Sequence, residues 1–279
     1  MTRALALTAL LAWALPAAAV DRWSRPARGL RYLRRDVALS GGPTALHALY
    51  VDLCDPAVEL RATAPDEGRR TAGQWARLVG AAAAVNGDYF DMTRFTPLGP
   101  ARGAGRSWPA ARIEHRDAVF VAAPNGRADV LDDPAAAADV ARIPDLWTEA
   151  VAVRERVLVH GVVRESPDIA HDGARHPRTG VGLSADRRTL ILAVVDGRSE
   201  SAGGATVREL GQLLRDLGAW EGMKLDGGGS STLFLAGRGT VNRPSDGHPR
   251  AVATHLGVVV RRVSPGAPSR CRDGRAPSS

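Results

Sequence analysis

The chain has 279 residues, of which 44% are hydrophobic and 24% charged, and its formal net charge is +7. This composition is typical of a globular protein with one large domain or two small ones. The positive charge suits an anionic partner such as phosphate, an acidic glycan or nucleic acid. Nucleic acid is disfavoured, because the arginines are scattered and no zinc-finger or RNA-binding pattern is present. A plain solvated basic surface explains the charge equally simply.

Residues 1–19 have the pattern of a secretion signal. Arg3 gives a short positive region, an apolar run follows it, and Ala17–Ala19 fit a small-residue cleavage site. The run is short for a membrane span, although an uncleaved anchor is the alternative. We therefore expect a secreted or periplasmic protein with no membrane span after cleavage.

Two segments share one order of elements. After two strands, "ALHALYVDL" and its expected neighbour "VELRAT", the sequence "TAGQWARLVG" predicts a helix capped by Thr71 and Gln74 and ended by Gly80. Its apolar face should hold Trp75, Leu78 and Val79. A short strand, "AAAAV", then runs into the turn "NGDYFD".

The second unit begins at "TVRELGQLLRDLG", where Thr206 and Glu209 form the capping box. Four leucines, at 210, 213, 214 and 217, should line the buried face. A strand around "MKL" leads into "DGGGSST". We expect the two polar turns to meet at the edge of one sheet, although this unit is common enough for the likeness to be accidental.

The remaining patterns predict strands. "AVFVAA" and "ADVLDD" should pair around Asn125-Gly126, "AVAVRERVLVHGVVR" should form a hairpin, and "RTGVGLSADRRTLILAVVDGR" should form two antiparallel strands. "HPRAVATHLGVVVRR" should close the domain. The predicted fold is α+β: a single domain of mixed β-sheet with a few packed helices over residues 20–263. Residues 264–279 are predicted to form a flexible tail.

The chain has two cysteines, Cys54 and Cys271. In an oxidising compartment they could pair and tie the tail to the body. Two unpaired thiols are the alternative that the sequence leaves open.

The turn at Asp226 combines a carboxylate, three glycines and three hydroxyls: Gly227, Gly228, Gly229, Ser230, Ser231 and Thr232. Consecutive glycines allow close approach of a ligand, and successive N–H groups can bind an anion. The turn lacks the lysine of a nucleotide-binding P-loop and the glycine spacing of a serine-hydrolase elbow. It suits a phosphate or a sugar, with a flexible hairpin tip as the alternative.

These motifs together resemble the phosphodiester glycosidase family. The resemblance rests on "LDGGGSST", the following "NRPSD", Arg250 before the last strand, "VNGDYF", and "RTGVGLSADRRTLILAVVDGR", and it extends over about residues 71–260. Asp88-Tyr89 and Lys224 depart from the family pattern, which affects substrate identity more than membership.

The resemblance implies hydrolysis of a sugar-1-phosphodiester at the anomeric carbon. The leaving phosphomonoester, whose second pKa is about 6, needs charge stabilisation rather than an acid. Arg178 and Arg250 are the candidates for this role, with surface ion pairs as the alternative. Asp226 is the first choice for the carboxylate that faces the sugar carbon, Asp196 the second and Asp88 the third.

Candidate binding residues are Asn86 with Gly87 and Asp88, the glycine and hydroxyl residues after Asp226, and Asn242 with Arg250. Histidines 171 and 176 could act as acid–base groups, but loop histidines are usually solvated, and histidines 248 and 255 carry less weight. Their spacing fits no common metal site, so no metal or other cofactor is expected.

Three functions remain open on the sequence. The first is an exported hydrolase that cleaves sugar-1-phosphodiester bonds in an envelope or extracellular glycopolymer. The second is a non-catalytic module that holds a phosphorylated glycan. The third is a phosphodiesterase that cuts the P–O bond.

Overall fold

The computed structural model describes residues 21–109, 117–165, 173–264 and 266–271, so the expected signal at residues 1–19 and His171 lie outside the described residues. The α-helices are α1 (Ala72–Val79), α2 (Pro134–Ala138) and α3 (Val207–Asp216). The strands are β1 (Arg22–Ser24), β2 (Leu30–Leu39), β3 (Gly42–Asp52), β4 (Val58–Ala62), β5 (Ala81–Asn86), β6 (Phe90–Asp91), β7 (Thr96–Pro97), β8 (Ala101–Gly103), β9 (Arg106–Ser107), β10 (Ala118–Ala122), β11 (Ala128–Leu131), β12 (Glu149–Val153), β13 (Glu155–Val159), β14 (Val162–Val163), β15 (Arg178–Leu183), β16 (Thr189–Val195), β17 (Glu221–Lys224), β18 (Leu233–Leu235), β19 (Gly239–Thr240) and β20 (His255–Val260).

The largest sheet has eight strands in the order β1-β2-β3-β16-β15-β17-β13-β14. Helix α3 packs on one face of it, because Leu210, Leu213 and Leu214 join a buried cluster with Ile191 and Val195. Glycines at 180, 182 and 222 bring the sheet close to the helix, since a Cβ on any of them would meet Leu214 at 3.1–3.3 Å. The other face belongs to the main core.

Two five-stranded sheets complete the core, in the orders β11-β10-β12-β8-β9 and β19-β18-β5-β20-β4. Their inward side chains share one cluster with the large sheet, which includes Val85, Phe120, Val181, Met223 and Leu256. The predicted mixed sheet with a few helices is confirmed in this coarse sense, although strands dominate the molecule more than the α+β description suggested.

Both predicted helix starts are confirmed. The Thr71 hydroxyl accepts the Gln74 N–H at 3.2 Å while the Gln74 side chain accepts the Thr71 N–H at 3.0 Å. Thr206 and Glu209 make the same reciprocal pair, and Gly80 takes the left-handed conformation (φ 70°) that ends α1. One face prediction is wrong: Leu78 is 54% exposed, because α1 covers its sheet through Trp75 and Ala76 instead.

Several predicted strand pairs are confirmed and one, β3 with β4, is wrong. β10 pairs with β11, β15 pairs with β16, and β13 pairs with β14 in the hairpin predicted within "AVAVRERVLVHGVVR". β12, at the start of that segment, lies outside the hairpin, because the chain passes from one sheet to another at Arg154. β3 and β4 are likewise in different sheets. The alternation of apolar residues predicts each strand but does not determine with which other strand it pairs.

The C-terminal segment is fastened to the body as far as Cys271, contrary to the predicted flexible tail. Cys54 and Cys271 form a disulfide, which answers the question that the sequence left open. The Arg270 guanidinium also donates to the carbonyl oxygens of Val58 and Pro56. Residues 272–279 lie outside the described residues. No helix among the described residues is long and apolar enough to cross a bilayer.

Candidate active site

The two polar turns predicted to meet are in contact, although they follow strands of different sheets. The Asn86 amide donates to the carbonyl oxygen of Asp226 at 2.7 Å, and the Asp226 N–H donates to the carbonyl oxygen of Gly87 at 3.1 Å. The Asn86 side-chain oxygen accepts from the Thr179 hydroxyl at 2.8 Å and the Thr232 N–H at 3.2 Å. Asn86 thereby ties β5, β15 and the Asp226 turn together.

Glycine allows the turns to approach their neighbours closely. A Cβ at Gly87 would lie 2.3 Å from the Thr254 hydroxyl oxygen. A Cβ at Gly229 would lie 2.1 Å from a terminal nitrogen of Arg250 and 2.3 Å from the Asp246 carboxylate. Gly228 has φ 60°, and a Cβ there would lie 3.0 Å from the Arg198 guanidinium. The bare backbone of the triplet is therefore covered by two arginines.

The Asp226 carboxylate is partly buried and accepts the Gly227 N–H at 2.8 Å. Burial raises the pKa of Asp226 above its ordinary value, while Ser230, the Gly227 N–H and the charges of Lys224 and Arg250 act in the opposite direction. A carboxylate with a raised pKa is a better base and nucleophile than one in open solvent. Tyr89, Glu155 and Asp246 are further titratable groups around it.

Buried hydroxyls surround this turn. Ser231, Thr232 and Thr254 are each at most 2% exposed, and their hydroxyl oxygens have no hydrogen-bond partner among the described residues. Buried polar groups are nearly always paired in folded proteins, with protein, water or ligand. Three such hydroxyls beside one glycine turn are consistent with a polar ligand at this place.

The predicted arginines differ in their surroundings. Arg178 is 1% exposed and donates to the carbonyl oxygens of Ala205 and Ala174 at 3.0 and 2.7 Å, so it anchors the loops at the start of α3. Arg250 is half-exposed and paired with Asp246 at 2.6 Å. Arg250 is therefore the more accessible of the two beside the glycine turn.

Asp196 lies away from Asp226. Strand β15 separates β16 from β17, so the two backbones are about 10 Å apart, which is two strand spacings. Val195 faces α3, and alternation places Asp196 on the opposite face, where its carboxylate lies 3.3 Å from His47 and accepts the Arg243 N–H at 2.8 Å. The first- and second-choice carboxylates therefore follow strands that are not neighbours in the sheet.

The side chain of Asn242, like that of Asn86, hydrogen-bonds to backbone groups. Its side-chain oxygen accepts the Leu233 N–H at 2.8 Å, and its amide donates to the carbonyl oxygen of Ser231 at 3.0 Å. Asp88 is 2% exposed and directly follows the Asn86-Gly87 turn. The predicted substrate contacts of both residues stay predictions.

The three candidate histidines within the described residues lie in different surroundings. His176 accepts the Arg198 side-chain N–H at 3.2 Å beside the glycine turn. His255 is fully buried, stacked on Trp75, and burial lowers its pKa to about 3. His248 is exposed. Within the described ranges, no three His, Cys, Asp or Glu side chains cluster so as to hold a metal ion.

Three further residues of this site, Arg198, Asp246 and Lys224, were not among the predicted site residues. Arg198, held at φ 58°, covers Gly228, and its signal was the Asp-Gly-Arg motif. Asp246 of "NRPSD" orients Arg250. Lys224, fully buried, donates to the Tyr89 hydroxyl at 2.9 Å and pairs with Glu155. Only the departure of Lys224 from the family pattern pointed to it.

Comparisons with known proteins agree with this geometry. The phosphodiester glycosidase family model matches residues 79–259. The catalytic domain of zebrafish N-acetylglucosamine-1-phosphodiester alpha-N-acetylglucosaminidase, auto-inhibited by its pro-peptide, is similar with a TM-score of 0.67 and 20% identity, over 87% of this chain and 88% of that one. A hypothetical protein from Synechocystis is similar with a TM-score of 0.66 and 17% identity, over 88% of this chain and 64% of that one.

A curated relative matches over a shorter stretch. The SPbeta prophage-derived uncharacterized protein YomE of Bacillus subtilis (strain 168) is 38% identical over 84 residues. The match covers 30% of this chain and 13% of that protein, so the chain spans a small part of its length. The family match covers well over half of the present chain and includes both polar turns, and the chain therefore belongs to the phosphodiester glycosidase family.

Proposed function

We propose that this protein is an exported hydrolase that cleaves the glycosidic bond of sugar-1-phosphodiesters in an envelope or extracellular glycopolymer. The observation that carries the proposal is the turn at Asp226. There a partly buried carboxylate, the bare peptide groups of three glycines, unpaired buried hydroxyls and two arginines converge.

Each of these groups has a task in such a reaction. The departing phosphoryl oxygens carry negative charge, and the half-exposed Arg250 and the exposed Arg198 are the cations that overlie the glycine backbone. Arginine suits this task because its N–H donors match phosphate oxygens in pairs. Arg178 has an indirect role, because its guanidinium holds the loops that carry Arg198 and His176 in position.

Asp226 is the carboxylate that we place next to the anomeric carbon. This carbon becomes cation-like in the transition state, and a carboxylate can stabilise it, attack it or activate water. A phosphomonoester leaves without strong acid assistance, so one carboxylate with a raised pKa is enough for the proposed chemistry. Asp196 instead braces the loop of Arg243 from the other face.

The proposal is tested with purified protein and a panel of sugar-1-phosphodiesters, with free sugar and phosphomonoester both measured. We expect equal amounts of the two products from at least one substrate and none from Asp226→Asn. Asp145→Asn, in an exposed turn of another part of the molecule, is the matched control and should keep full turnover. Binding of the panel without turnover by the wild type would favour the non-catalytic module and contradict the proposal.

A further inference from the structure

A second cavity lies at the far end of the eight-stranded sheet, with a volume of about 720 Å³. The cavity lies where β2 and β16 begin and β3 ends. Thr189, the first residue of β16, lines it, whereas Asp196 follows the last residue of the same strand. Seven residues of extended chain span about 20 Å. The cavity is therefore separate from the turn at Asp226, and its volume is in the usual range for small-ligand sites.

Guanidinium groups dominate the lining of this cavity, from Arg25, Arg28, Arg31 and Arg188. Arg25 and Arg31 are exposed and have no carboxylate partner among the described residues. Arg28 uses its Nε to bind Asp55 at 2.8 Å, which leaves its two terminal nitrogens available. Arg25, Arg28 and Arg31 lie within one stretch of seven residues, and the fold places Arg188 on the same cavity.

The carboxylates of the cavity are already engaged. Asp52 accepts the Cys54 N–H at 2.9 Å. Asp186 accepts the Ser184 hydroxyl at 2.6 Å and the Arg188 N–H at 3.1 Å. Four arginines against two carboxylates give the lining a formal charge of +2, which still favours an anion.

Aromatic rings border the same arginines. The Arg31 guanidinium lies 5.3 Å from the ring centroids of both Trp23 and Tyr50. Tyr50 lines the cavity, and Trp23 is 47% exposed next to it. An exposed Trp23 ring and a half-buried Tyr50 ring beside charged donors suit a ligand that has both flat apolar faces and anionic groups.

The disulfide forms one wall. Cys54, Cys271 and Ser269 all line the cavity, and the Ser269 hydroxyl donates to the carbonyl oxygen of Cys54 at 3.2 Å. The C-terminal segment thus forms part of the cavity wall, where the disulfide and the Arg270 hydrogen bonds hold it.

We propose that this cavity is a binding site for an anionic glycan segment, distinct from the turn at Asp226 and independent of the proposed hydrolase activity. The arginines bind its carboxylate or phosphate groups, and Tyr50 with Trp23 packs against a sugar face. The high positive charge of the chain is explained at least in part by this site.

Calorimetric titration tests the proposal with three probes: oligogalacturonate, inorganic tripolyphosphate and the neutral maltoheptaose. We expect saturable binding of oligogalacturonate that weakens as salt is raised. The double variant R25S/R31S should bind at least about tenfold more weakly, since charge-assisted hydrogen bonds are lost. Reduction of the disulfide should also weaken binding.

Arg106→Ser is the matched control, because Arg106 is an exposed arginine of another sheet, paired with Asp66. It should bind like the wild type, and thermal unfolding should show all variants folded. Wild-type affinity in R25S/R31S, or no saturable binding of oligogalacturonate, would overturn the proposal. Binding of tripolyphosphate alone would overturn its glycan part. None of these results depends on turnover at Asp226, so the two proposals can fail separately.

Discussion

The two capped-helix units, residues 71–88 and 206–232, follow the same order of elements and end in polar turns that touch. In the first unit every polar atom of the Asn86 side chain is hydrogen-bonded and the residue is 1% exposed. In the second unit Asp226 keeps a partly exposed carboxylate, and the hydroxyls that follow lack partners among the described residues. The Asn86 side chain is thus fully hydrogen-bonded, whereas the hydroxyls after Asp226 are not bonded within the described part of the chain.

Under the proposed function, this difference assigns a supporting role to the Asn86 turn and the reacting role to the Asp226 turn. A fully bonded amide rigidifies its surroundings, so Asn86 fixes the position of Asp226. Unpaired buried hydroxyls and a desolvated carboxylate cost stability, and such costs are typical of functional sites. We therefore expect substitutions at these two touching residues to change the free energy of unfolding in opposite directions.

The largest effect is expected for Asp226→Asn, which should lower kcat by at least about a thousandfold if Asp226 faces the reacting carbon. The same variant should be more stable at neutral pH by about 1 kcal/mol. The cause is that the folded protein binds a proton at Asp226 more tightly than the unfolded chain does, because burial raises the pKa. Thermal unfolding measures the gain.

The sign of this effect can be checked against pH. The ionised Asp226 destabilises the fold at pH values above its raised pKa, and the penalty disappears once pH falls below the ordinary range of aspartate. The stability advantage of Asp226→Asn should therefore shrink towards acidic pH. A variant less stable than the wild type at neutral pH would contradict a strained functional carboxylate.

Asn86→Ala should act in the opposite direction and lower the free energy of unfolding by about 3 kcal/mol. It leaves the Asp226 carbonyl, the Thr232 N–H and the Thr179 hydroxyl without their partner in a buried place. Denaturant unfolding measures the loss. Asn125→Ala, in the β10–β11 turn, is the control and should cost less than about 1 kcal/mol. Equal losses would show that Asn86 is an ordinary turn residue.

Gly229→Ala should lower kcat/KM by about tenfold with little change in stability. The added methyl group displaces the ends of the Arg250 and Asp246 side chains, which can move away cheaply but then no longer lie over the glycine turn. Steady-state kinetics and thermal unfolding together test this. Unchanged kinetics would remove Arg250 from the substrate site.

The smallest effect is expected for Lys224→Met. In the pH profile of kcat/KM, its acid limb should lie about half a pH unit higher than that of the wild type. Burial sets the raised pKa of Asp226, and the Lys224 charge holds it down, so loss of that charge raises it further. Tyr89→Phe removes the hydroxyl but keeps the charge and should leave the limb in place. Identical profiles for the two variants would exclude the charge effect.

The sequence predicted the parts of the site that depend on local chemistry. Capping boxes, the glycine stop after α1 and the Asp226 turn are readable because each depends on residues within a few positions. Asn86 and Asp226 were predicted to meet because two similar units end in polar turns. The separation of Asp196 from Asp226 by strand β15 was not predictable, since it depends on the strand order of the sheet.

Long-range pairing explains the other misses. The crossing of the chain between β12 and β13 is invisible in an apolar run, and Leu78 fits an amphipathic helix although α1 leaves it exposed. The arginine-lined cavity joins segments from four parts of the sequence. Only the fold reveals it.

Hydrolysis in oxygen-18 water tests the central claim most directly. With a sugar-1-phosphodiester that the wild type cleaves, mass spectrometry should find the label in the released sugar and none in the phosphomonoester, because Asp226 is placed at the anomeric carbon. Label in the phosphomonoester would mean that the P–O bond breaks, and it would contradict the account.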